Sequence, residues 1–103
     1  MEKVLQAAAQ RYTENLSLRE LSSELGLSAH YLGRLFQQES GLTFRRYLRK
    51  RRMHKAAELL QDRSKLIKQI SSALGYTSVN KFDRDFRAEY GMSPGRFRAS
   101  RAR

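Results

Sequence analysis

The chain carries one pattern twice. Leu18-x-x-Leu21-Ser22-Ser23-x-Leu25-Gly26 returns as Ile67-x-x-Ile70-Ser71-Ser72-x-Leu74-Gly75, at an offset of 49 residues. Further along, Leu32, Arg34, Phe36, Glu39, Gly41, Thr43 and Tyr47 return as Phe82, Arg84, Phe86, Glu89, Gly91, Ser93 and Phe97, at an offset of 50. The second turn therefore carries one extra residue. A chain of 103 residues is one domain, or two very small lobes sharing an element. Two copies of a 50-residue unit argue for two lobes and a connector rather than a solenoid.

Hydrophobic spacing makes both copies helical. Val4, Leu5, Ala8, Ala9 and Tyr12 follow the i, i+3/4, i+7/8 rule and predict an amphipathic helix of about three turns. Ser17-Leu18-Arg19-Glu20 is a capping box that opens a helix carrying Leu18, Leu21 and Leu25. Gly26 suits the left-handed turn that ends it. Ser28 caps a third helix bearing Tyr31, Leu32, Leu35 and Phe36, which ends near Gly41. Thr43 caps a longer helix over Phe44–Gln61, about 27 Å at 1.5 Å per residue. Shorter helices are predicted over Leu66–Leu74, Val79–Tyr90 and Pro94–Ser100, the last with Ser93 as cap and Pro94 at its first position. No stretch reads as a strand. The expected class is all-α, about seven helices, with a first helix-turn-helix lobe over 1–42, a linking helix over 43–61 and a second lobe over 62–103.

Each copy has the anatomy of a helix-turn-helix unit, in which apolar residues lock two helices across a turn that often contains glycine. Leu21, Leu25, Leu27, Leu32 and Leu35 take the packing positions in the first copy, and Ile70, Leu74, Tyr76, Phe82 and Phe86 in the second. That leaves His30, Gly33, Arg34 and Gln37 outward on the second helix of the first copy. Val79, Asn80, Lys81 and Arg84 are outward in the other copy, near the helix start that enters the major groove in this motif. The chemistry suits base edges. Arg34 and Arg84 can donate two hydrogen bonds to guanine O6 and N7, Asn80 can pair with adenine N6 and N7, and Val79 can touch a thymine methyl. Lys81 suits guanine or phosphate.

Charge supports the same partner. With 21 Lys+Arg against 10 Asp+Glu the chain carries a formal +11, a self-repelling field suited to a polyanion. The linking helix is densest: Arg45, Arg46, Arg49, Lys50, Arg51, Arg52 and Lys55, with no acid between Glu39 and Glu58. Arg51 and Arg52 interrupt its apolar stripe (Phe44, Tyr47, Leu48, Met53, Ala56, Ala57, Leu60), and one or both are expected to lie partly buried against the lobes. Arg45 and Arg49 are expected at phosphates, where contacts position the protein and make binding salt-dependent without reading sequence. Arg96, Arg98, Arg101 and Arg103 read as further phosphate contacts or as a frayed basic end.

Other classes fare poorly. With no cysteine there is no disulfide framework, thiolate nucleophile or Cys-based metal site. The two histidines, His30 and His54, fall on different helices with no metalloprotease motif or phosphate loop around them. No catalytic, cofactor or metal residue is assigned, and the chain reads as no enzyme. No apolar run is long enough for a signal peptide or a membrane span, so the expected location is the cytoplasm. A basic helix binding RNA or a membrane surface is the rival reading. It lacks a broad exposed apolar face and an aromatic stacking platform.

The residues as a set resemble the DNA-binding domain of AraC/XylS-type bacterial transcription regulators, over roughly Leu16 to Arg98. The specific part is Ile67, Ile70, Gly75-Tyr76, Ser78, Phe82-x-Arg84-x-Phe86-Arg87, Gly91-Met92-Ser93-Pro94 and Phe97-Arg98. The resemblance implies seven helices, two recognition helices in adjacent major-groove segments of operator DNA, and a role in transcription through RNA polymerase, more often activation than repression. It places base contacts on His30, Gly33 and Arg34, and on Val79, Asn80, Lys81 and Arg84. Three departures stand out. Gly33 offers no side chain at a reading position, Ser22 and Ser71 replace a small apolar residue, and Asp83 and Asp85 put negative charge on the second recognition helix, where pairing with Arg87 or Lys81 is expected ahead of the alternative, Asp83 accepting from cytosine N4. Members of the family usually carry a further domain. The expectation is therefore the C-terminal part of a larger regulator, monomeric by itself and with the parent's dimerisation open. A small stand-alone activator is the second reading.

Overall fold

The computed structural model describes residues 2–13 and 17–101. Leu16, where the family resemblance begins, and Arg103 lie outside them. Among the described residues there are seven helices and no strand: α1 (Glu2–Gln10), α2 (Leu18–Leu25), α3 (Ala29–Ser40), α4 (Phe44–Leu59), α5 (Ile67–Ala73), α6 (Val79–Tyr90) and α7 (Pro94–Ser100). The helix α4 stops two residues before the predicted Gln61, because the Gln61 amide bonds back to Glu58 at 3.2 Å, an i−3 bond that tightens the final turn. None of these helices is long and apolar enough to cross a membrane.

Helix starts follow their caps. Ser17 accepts from the Glu20 amide, Ser28 from Tyr31, Ser78 from Lys81 and Ser93 from Arg96, each satisfying an amide that a helix's first turn leaves unpaired. Thr43 does the same for Arg46 at 3.2 Å. Leu66 has no polar side chain to offer at the start of α5. There Gln69 Oε1 accepts from the Leu66 amide at 2.9 Å, the reciprocal half of a capping box.

The chain divides into two compact units, residues 1–51 and 52–103, and each takes part of α4 into its own core. In the first unit Val4, Ala8, Leu21, Leu32, Phe36, Phe44 and Leu48 are buried together. The Phe36 ring meets Phe44 and Tyr47 edge-on, both at 5.2 Å between centroids. In the second, Met53, Ala56, Leu60, Ile70, Leu74, Phe82, Phe86 and Phe97 are buried. Phe86 is in ring contact with Phe82, Tyr90 and Phe97 at 6.0, 4.7 and 5.3 Å. Of the two arginines that break the α4 stripe, Arg52 is half-buried, as expected of one or both, and Arg51 is exposed. Arg51 donates to the Ala9 carbonyl at 3.4 Å and lies over the Tyr12 ring, and Arg52 lies over Tyr76.

The two turns are built alike. The Leu27 amide reaches the Ser22 carbonyl at 2.9 Å and the Tyr76 amide the Ser71 carbonyl at 3.1 Å, closing each first helix around a glycine, Gly26 at φ +70° and Gly75 at φ +94°. Replacing Gly75 by valine is expected to destabilise the second unit by about 2 kcal/mol or more, since a β-branched side chain strongly resists that backbone conformation. Urea unfolding followed by circular dichroism checks this; an unchanged midpoint would show that the turn relaxes. The two serines that depart from the family pattern are both buried. Ser22 offsets its burial by donating to the Arg19 carbonyl at 2.8 Å.

Candidate nucleic-acid interface

The recognition helices α3 and α6 show nearly the same burial pattern at an offset of 50. Leu32 and Phe36 are buried where Phe82 and Phe86 are, Gly33 and Leu35 are half-buried where Asp83 and Asp85 are, and His30, Arg34 and Gln37 are exposed where Asn80, Arg84 and Arg87 are. These exposed positions lie at i, i+4 and i+7, one face of a helix. Both faces therefore carry hydrogen-bonding side chains of the kind that read base edges. Val79 and Lys81 are also exposed at the start of α6.

Other placements differ from the sequence reading. Tyr31, one of the four residues named on the third helix, is 54% exposed and occupies in α3 the register that Lys81 holds in α6. Leu27 is 41% exposed, although its counterpart Tyr76, with the larger side chain, is half-buried. Gly33 has a packing reason to lack a side chain, since a Cβ built there would come within 3.0 Å of Leu18 Cδ2. The glycine lets α3 approach α2 closely.

The acids on α6 are partnered in two ways. Asp83 Oδ2 accepts from Arg87 Nε at 2.7 Å, as expected. Asp85, expected to pair with a basic side chain of the same helix, instead accepts from the Tyr76 hydroxyl at 2.6 Å. Its half-buried position faces the turn rather than solvent. Burial and this carboxylate push the Tyr76 hydroxyl well above the usual tyrosine range, so it stays a donor and ties the recognition helix to the turn before it. Burial also raises Tyr90, whose hydroxyl donates to the Met53 carbonyl at 3.3 Å.

The basic residues sort by surroundings. Arg45 and Arg46 are exposed on α4, whereas Arg49 is half-buried with its Nε withdrawn from solvent. His54 is exposed and stands 3.5 Å from Glu58. Among the described residues of the tail, Arg98 and Arg101 are engaged. Arg98 is committed to three backbone carbonyls, Leu60 at 2.8 Å, Asp62 at 3.1 Å and Lys65 at 2.7 Å. Arg101 stacks over Phe97 at 4.8 Å, and Arg96 is exposed. The Arg98 role was invisible to charge counting. Its only sequence signal was its place in the Phe97-Arg98 pair of the family pattern.

Residues 21–100 match a family model described as a helix-turn-helix domain. The chain is 37% identical over 87 residues to YfiF of Bacillus subtilis, an uncharacterised HTH-type transcriptional regulator, covering 84% of this chain and 27% of the relative. It is 35% identical over 98 residues to the HTH-type transcriptional activator RhaR of Klebsiella pneumoniae, covering 95% of this chain and 35% of RhaR. The solved C-terminal domain of AraT, a response regulator from Geobacillus stearothermophilus, has a TM-score of 0.94 at 32% identity, covering 99% of this chain and 85% of that one. The chain thus spans about a third or less of the length of these curated relatives. With a family model matched over most of its length and its fold shared with a solved response-regulator domain, the chain belongs to the AraC/XylS-type family of helix-turn-helix DNA-binding domains of transcription regulators.

Proposed function

We propose that the chain reads double-stranded operator DNA as a monomer, placing α3 and α6 in two successive major-groove segments. The observation that carries this is the repeated exposed face, His30, Arg34 and Gln37 on α3 and Asn80, Arg84 and Arg87 on α6. In this reading Asn80, Arg84, Arg34 and His30 meet base edges, Val79 meets a thymine methyl, Lys81 serves base or phosphate, and Gln37 supports the first half-site. Gly33 contributes close packing instead of a contact. Arg45 and Arg49 serve phosphates, and the chain performs no catalysis. Two readers on one side of a duplex require half-sites about one helical turn, ~10 base pairs, apart.

Selection from randomised ~30-base-pair duplexes at fixed salt tests the reading. Enrichment of a two-part motif with halves ~10 base pairs apart is expected; binding with no enriched sequence would refute it. Salt is held fixed because phosphate contacts alone can mimic tight binding. Arg84→Ala is expected to weaken binding to the selected duplex by about 1–3 kcal/mol and to relax preference at one base pair. Equal affinity for that duplex and its single-base variants before and after the change would remove Arg84 from the readers.

Activation through contact with RNA polymerase is the regulatory part of the proposal, supported by the likeness to the activator RhaR. Run-off transcription from a promoter carrying the selected motif should rise when the protein is added. A fall would reverse the sign.

A further inference from the structure

The second recognition face contains one device that the first lacks. Asp83 stands at the register of Gly33, and Arg87 at the register of Gln37. Asp83 Oδ2 holds Arg87 through its Nε at 2.7 Å, with both side chains part-exposed. Counting at 100° per residue, Asn80, Asp83, Arg84 and Arg87 form one contiguous stripe. A guanidinium held at Nε is fixed in orientation but keeps its terminal N–H groups, the edge that pairs with two acceptors.

Deepening the DNA-reading role above, and resting on it, we propose that Arg87 is a further sequence-reading residue, aimed by Asp83 at the O6/N7 edge of a guanine. Two physical points favour a base edge over a phosphate. The pair is neutral as a unit, so it gains little from the backbone's charge and releases little counterion; the Asp83 carboxylate would repel a nearby phosphate. A base edge is itself neutral and demands direction, which the buttress supplies. The alternative, a helix pair alone, stabilises an α-helix only slightly and makes no demand on the DNA sequence. Asp83 is a positioning residue in this scheme, and Arg87 the contacting one.

The test measures binding to the selected duplex and to its single-base variants across a salt series, for the parent chain and for Arg87→Ala, Arg87→Lys, Asp83→Asn and the Asp83→Asn/Arg87→Ala double variant. Arg87→Ala is expected to weaken binding to the selected duplex by about tenfold or more and to erase preference at one G·C pair, with the salt slope unchanged. Arg87→Lys should do the same, because charge is kept while the planar fork is lost. Asp83→Asn should blunt the same preference and steepen the salt slope by up to ~0.9, as one cation is freed. In the Arg87→Ala background it should change no preference.

Arg87→Ala weakening every duplex alike, with a shallower salt slope and rescue by lysine, would make Arg87 a phosphate contact and overturn the proposal. No effect on any duplex would reduce the pair to helix stabilisation and overturn it too. In both cases the motif selected by the parent chain leaves the two-segment reading standing. A parent chain that selects no motif overturns both. Thermal unfolding by circular dichroism should be nearly unchanged in all four variants, since the pair lies outside the core.

Discussion

Replacing Phe86 by alanine is expected to cost the second unit about 3–5 kcal/mol, the usual range for emptying a fully buried aromatic site. Phe86 is fully buried and touches rings from its own helix (Phe82, Tyr90) and from α7 (Phe97). No neighbour can close the space without moving α6 or α7. A unit of about 50 residues has a total stability on the order of 3–8 kcal/mol, so the variant should retain little folded α6. Urea unfolding followed by circular dichroism, with hydrogen exchange resolved by helix, measures this. Amides of α5, α6 and α7 should lose protection, and the half-site read by α6 should disappear from selected sequences. A loss under about 1 kcal/mol would mean that the ring cluster repacks and that Phe86 is not its keystone.

Arg98→Ala is expected to destabilise the same unit by about 2–3 kcal/mol, the range for lost hydrogen bonds from a charged donor. Arg98 gathers the carbonyls of Leu60, Asp62 and Lys65, and so pins the α4–α5 connection to α7. Arg98→Lys should recover only a minor part, because one ammonium cannot reproduce the planar guanidinium's three-carbonyl geometry. Thermal unfolding is the readout, along with exchange at the Asp62, Ser64 and Lys65 amides. If Arg98→Ala melts with the parent chain while weakening all duplexes, Arg98 is a phosphate contact after all. Asp62 itself is held below the ordinary carboxyl range, chiefly by hydrogen bonds from Ser64. Its small contribution is present above the unfolded-state value and fades as pH falls through the lowered folded-state value. Acid should therefore loosen this connection.

Much of the architecture was legible because it is written locally. Ser17, Ser28, Thr43 and Ser93 each start a helix where a hydroxyl can reach the third following amide, and Gly26 and Gly41 each follow a helix in the left-handed conformation. Such signals act within four residues and need no partner from afar. The outward face of α6 was equally readable, because the repeat supplied a second copy against which to align its buried positions.

What escaped were roles decided by contacts distant in sequence. Arg98 looked like one more cation until its guanidinium met carbonyls 33 to 38 residues earlier. Asp85 looked like a partner for a basic neighbour until the turn brought the Tyr76 hydroxyl to it. Tyr31 sits among the residues of an apolar stripe by spacing, yet it is 54% exposed. Gly33 looked like a missing reader, and only the approach of Leu18 gave it a packing reason.

By itself the sequence determined the number and order of the helices, their caps, the doubled unit and the side chains offered outward, because hydrophobic period and capping chemistry are short-range and repeat. Tertiary structure alone decided which charges are spent inside the protein and which remain for a partner. That division depends on which carbonyl, ring or carboxylate packing brings within about 3–5 Å, the distances at which hydrogen bonds and ring contacts form.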